Sequence, residues 1–220
     1  MSIYLALKFA HLIAFVYWLG GDLGTYLASR QVVREDLGNE ARGTALHIML
    51  ACDMGPKLAM PLILALGAQL ATSAGMLALP IAAMLGLWLA VILWFAMVLT
   101  IYLREGTPAA KYIAEVDFWF RITVVVALFA VGGAILVGAL QASGAWLGWK
   151  ILVFAAMVFC GLMIRVNLRP FGAAFGNLLA GKDVEAANAT LRRTIGRCRP
   201  WVWCIWAGLF LNAAFGMHLL

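Results

Sequence analysis

Charge is scarce in this chain: 12% of its 220 residues are Asp, Glu, Lys or Arg, against about 25% in an ordinary soluble domain. Histidine is scarcer, with three residues, and the four cysteines show no CxxC spacing. That spacing argues against a disulfide framework or a zinc site. No serine–histidine–acid set, phosphate-binding glycine loop or HExxH motif is present, which removes the common hydrolase and nucleotide-binding signatures. Alternating ten-residue segments are missing, so a membrane β-barrel is excluded. The first segment lacks a basic leader and a small-residue cleavage site, and it reads as a retained span. The formal charge of +6 comes with no basic, aromatic-interleaved soluble domain, so nucleic acid is not an expected partner.

What is abundant is apolar sequence. Hydrophobic residues make up 65% of the chain, and the mean hydropathy is +0.97. About 20 apolar residues suffice to cross a hydrocarbon core as a helix. Six such stretches are expected, at about 3–28, 55–78, 80–103, 119–141, 146–168 and 200–219. The expected fold is therefore all-α: one polytopic membrane helix bundle of about six spans covering 1–220. Residues 41–54 read as a helix leading into the second span. Residues 183–197 read as a short polar helix with Asp183 as its N-cap.

The charges are distributed unevenly. Of the 16 Lys and Arg residues, only Lys8 and Lys150 lie on one side, and no Asp or Glu does. By the positive-inside rule, the charge-rich side is cytoplasmic and both termini are periplasmic, in a bacterial inner membrane. Trp201, Trp203 and Trp206 read as an interfacial belt at the start of the last span.

This asymmetry supplies a depth scale. His11 is 19 residues from Arg30, Lys150 is 19 from Arg169, and His218 is 18 from Pro200. At 1.5 Å per residue these steps are roughly 27–29 Å, so the three side chains fall near the outer boundary of the membrane. Gln141 falls in the same layer. Lys8, His11, Trp18 and Asp22 share one stripe of the first helix, and a stripe so polar is expected to face the bundle interior. Asp22 is expected to pair with Lys57 or Arg121. Gly20, Gly21 and Gly24 allow close approach of another helix or of a flat ligand.

Two histidines at one depth on different helices suit a b-type haem, whose iron is held axially by imidazole. His11 and His218 are the candidate axial ligands. Lys8 and Lys150 are candidates for pairing with the propionates, and Trp18 for lining the pocket. A rival site is the stretch His47-Ile-Met49-Leu-Ala-Cys52-Asp53-Met54, whose soft ligands suit copper. His47 and Met54 share a helix face there. A third alternative is a non-catalytic subunit of a larger membrane complex. Quinone or a redox protein is the expected partner of a haem site, and a homo-oligomer or membrane complex is compatible with all three alternatives.

His11 followed seven residues later by Trp18-Leu19-Gly20-Gly21, together with Trp146-Leu147-Gly148-Trp149-Lys150, resembles signatures of the related CopD and HemJ-type membrane families. The two matches cover about a quarter of the chain. In HemJ-like sequences a histidine often stands where this chain has Gly148. The resemblance implies that His11 is an axial haem ligand and that Lys150 belongs to the same pocket. It implies a HemJ-like membrane oxidoreductase or a CopD-type copper transport protein. It identifies no catalytic residue.

Overall fold

The computed structural model describes residues 3–219. Among them are seven α-helices: α1 (Ile3–Val32), α2 (Asn39–Ser73), α3 (Ile81–Leu103), α4 (Pro108–Leu136), α5 (Ala145–Asn167), α6 (Phe171–Leu179) and α7 (Val184–Gly216). In lipid each backbone N–H and C=O must be satisfied within its own segment, which favours helices over open strands. Local sequence sets the helix starts. Before α4, Thr107 Oγ1 accepts from the Ala110 N–H at 3.2 Å and Pro108 opens the first turn, a pairing that satisfies one free N–H and presets φ.

Five helices are long and apolar enough to cross a membrane: α1, α2, α3, α4, and a fifth stretch, Ala145–Leu179, that takes in α5 and α6. The outer surface agrees with a multi-pass membrane protein. Ile81, Leu85, Leu89 and Val126 are exposed by 60% or more, an apolar surface that a water-soluble monomer rarely carries. The expected sixth span, 200–219, corresponds to the second half of α7, which ends at Gly216, and is not among these five. Three tryptophans and Asn212 lower its hydropathy. It nevertheless packs on α5 and α1.

Those contacts close a ring. Each long helix packs on the next, α1 on α2, α2 on α3, α3 on α4, α4 on α5 and α5 on α7, and α7 meets α1. The core runs down the middle through Trp18, Met60, Trp94, Phe154, Met157 and Leu209. The α1–α2 contact is the most extensive. A Cβ on Gly21 would stand 2.5 Å from Pro56 Cδ and 2.7 Å from the Cys52 carbonyl, and one on Gly24 would stand 2.7 Å from Cys52 Sγ. Those two glycines therefore serve helix packing, which leaves no room between them and α2 for a flat ligand. Gly20 meets nothing within 4 Å.

The lead-in over 41–54 is part of α2, which runs unbroken through Pro56 and Pro61. The polar helix expected at 183–197 is not separate: α7 continues through Pro200 into the bundle. Asp183 precedes it in a left-handed conformation (φ 44°) and its side chain makes no capping bond, so the expected N-cap role is not found. The sequence reading also passed over α6. It packs on α7 and, with the ends of α1 and α2, builds a second small core of Val32, Met49, Phe175, Leu178 and Leu191 beyond the main one. Arg42 is 2% exposed there. Its Nε donates to the Val32 carbonyl at 2.8 Å and a terminal nitrogen donates to Asn188 Oδ1 at 2.9 Å. This cap covers the charge-rich end of the bundle.

Candidate functional site

At the opposite, charge-poor end, α1, α2, α5 and α7 bring polar groups together. His11 of α1 lies over Gly67 of α2, where an added Cβ would stand 3.0 Å from the imidazole Cε1. A side chain at 67 would push the ring away, so glycine makes room for it. His11 Nδ1 is buried with no hydrogen-bond partner. Lys150 of α5 is near enough to act on the imidazole by its charge. Its Nζ donates to the Asn212 carbonyl of α7 at 3.0 Å, and it lies 2.7 Å from where a Cβ on Gly216 would be. Asn212 Oδ1 is a second buried polar atom without a partner.

The other sequence-derived candidates are placed differently. His218 sits on the turn after α7 with φ 54°. It is exposed and meets the Trp146 ring edge-on at 4.9 Å between centroids. Lys8 is exposed and makes no ion pair among the described residues. Gln141 is exposed as well. Trp18 is 2% exposed and packs edge-on against Phe154. His47 is exposed, whereas Met54 faces the bundle interior. Among the described residues no three His, Cys, Asp or Glu side chains cluster as a metal site.

The charge-rich half holds a feature absent from the sequence reading: a cavity of about 510 Å³ within the ring. Trp18, Met60 and Met157 line its depth, and Arg169 and Arg199 line its other end. Trp18 is 12 residues before Arg30, which places the deep end roughly 18 Å inside the boundary. Asp117 of α4, 2% exposed, organises one wall. Its Oδ1 accepts from Trp94 Nε1 at 3.1 Å. Its Oδ2 accepts from Arg121 Nε at 2.9 Å and from Arg165 at 2.7 Å. Arg121 also lies over the Trp94 ring at 5.2 Å. A buried charge pair of this kind is held by several charge-assisted hydrogen bonds at once.

Asp22 pairs with neither Lys57 nor Arg121, contrary to the expectation. Lys57 is tied to Asp53 one turn earlier and Arg121 to Asp117. Proximity along their own helices decides this, because an i,i+4 partner is in reach without any helix adjusting. Asp22 makes no ion pair among the described residues. The i,i+4 spacing of Asp117 and Arg121 was a visible signal for the wall. Nothing in the spacing pointed to Arg165, which arrives from another helix.

No protein-family model, curated protein or solved structure matches this chain.

Proposed function

We propose that this protein binds a b-type haem at the charge-poor end of the bundle and serves electron transfer or a haem-dependent oxidation in a bacterial inner membrane. The observation that carries the reading is His11: a buried imidazole nitrogen without a partner, on a ring seated over Gly67. His11 is the proposed axial ligand, and His11 and Lys150, one from each of the two motifs that bear the CopD and HemJ-like resemblance, both belong to the charge-poor end of the bundle. Lys150, already close to the imidazole, supplies a cation for a propionate. His218 is the proposed second ligand, although its exposure makes it the weaker of the two. When bound, the haem supplies one-electron exchange, tuned by axial ligation and burial. Quinone or a redox protein is the proposed partner. The positive-inside distribution of Lys and Arg supports cytoplasmic placement of the charge-rich end.

The test is a reduced-minus-oxidised visible spectrum of the purified protein. A b-type band is expected, lost in His11→Ala and kept in His47→Ala. No band together with bound copper would move the assignment to copper transport of CopD type. No band with a stably co-purifying partner would favour a subunit of a larger complex.

A further inference from the structure

The cavity in the charge-rich half is independent of the histidine end, because no histidine lines it. Two buried polar atoms without partners belong to its lining: Arg199 Nε on α7 and Asp22 Oδ2 on α1. Buried polar groups are nearly always satisfied, so a pair of orphans on one cavity calls for a group that supplies both bonds. Arg199 needs an acceptor, and Asp22 needs a donor.

The remaining charges set the polarity. Asp53 is bound by Lys57, and Asp117 is shared by Arg121 and Arg165. Arg169 stacks over Phe118 at 5.8 Å and, like Arg199, has no acid partner among the described residues. Glu105 also lines the cavity and is exposed. The α4, α5 and α7 side therefore carries uncompensated guanidinium charge, while the depth is apolar. A volume of about 510 Å³ lies within the range for small-molecule pockets and is too small for both chains of a phospholipid.

Gly161 adds an observation of a different kind. It stands inside α5, lines the cavity, and has nothing within 4 Å of where its Cβ would be. Glycine weakens a helix interior relative to alanine, and no neighbouring side chain needs the space. The vacant position widens the cavity.

We propose that this cavity binds a single-chain amphiphile whose head carries an anionic oxygen group and a hydroxyl or amine donor. The oxyanion meets Arg199 and Arg169, the donor meets Asp22, and the chain runs toward Trp18 and Met157.

The test is binding to the full-length protein in neutral detergent, followed by native mass spectrometry and calorimetry. Four probes separate the chemistries: lysophosphatidic acid (oxyanion, hydroxyl and chain), palmitate (oxyanion and chain), monoacylglycerol (hydroxyl and chain) and inorganic phosphate. Lysophosphatidic acid is expected to bind at least tenfold tighter than monoacylglycerol and phosphate, with palmitate between them. Arg199→Gln should remove most of that preference. Gly161→Leu, which fills the depth and leaves every charge in place, should weaken both chain-bearing anions at least tenfold while the protein stays helical and monodisperse. Equal binding of monoacylglycerol and lysophosphatidic acid, or unchanged binding in Gly161→Leu, overturns the proposal. Equal binding of palmitate and lysophosphatidic acid overturns the role of Asp22. These outcomes hold whether or not a haem band is found.

Discussion

Replacing Asp117 by asparagine keeps the side chain's size and its acceptor for the Trp94 indole but removes the one negative charge between Arg121 and Arg165. Both guanidiniums then face an amide. The two arginine side chains are 11% and 35% exposed and the aspartate 3%, so water can relieve Arg165 in part and Arg121 hardly at all. Breaking a buried pair by removing one partner costs about 3–5 kcal/mol. The partial exposure of Arg165 argues for the lower end, about 3 kcal/mol. For a chain of this size each kcal/mol moves Tm by roughly 2–4 °C, which gives a fall of about 6–12 °C. Intrinsic fluorescence from the nine tryptophans reports the melt in detergent. The double variant Asp117→Asn/Arg121→Gln should lose less than the sum of the single changes, by roughly 0.5–3 kcal/mol of coupling. A fall below 2 °C, or strict additivity, would refute the account of this wall.

Gly21→Ala should cost about 1–3 kcal/mol by overpacking against α2, whereas Gly20→Ala, with open space at its Cβ, should be neutral or gain up to about 1 kcal/mol in helix propensity; paired melting curves compare them. Arg42→Met should lose about 1.5–3 kcal/mol by removing charged hydrogen bonds to Val32 and Asn188, and limited proteolysis should then cut within 171–199 faster. Gly148→His should lower Tm, because a Cβ there meets Leu136 at 2.9 Å and the Gly132 carbonyl at 3.1 Å; an unchanged melt would show that α4 and α5 can separate at that point.

The helices were legible because hydropathy and length suffice when the solvent is lipid. Their ends were less so: α2 and α7 cross prolines that read as boundaries, and tertiary contacts carry the helix through. The depth scale did bring His11 and Lys150 to one end, since rise per residue is fixed. It could not say which way a side chain turns, and His218 ended on an exposed turn because α7 stops at Gly216, two residues short of it. The Asp117 wall was half visible. Its Arg121 lies on the same helix, but Arg165 and Trp94 reach it from α5 and α3, and pairing across helices leaves no periodic trace. A cavity leaves none at all, because it is a property of what several helices fail to fill.

The unbroken run of α2 and α7 has a mechanical consequence. Each is one continuous helix that begins in the cap built on Arg42 and α6 and runs on into the ring. A force applied to the cap from the charge-rich side, by a docking partner or by a shift in surface charge, would not be absorbed by a loop. It would pass along both helices into the ring, so the cap and the bundle are one mechanical unit.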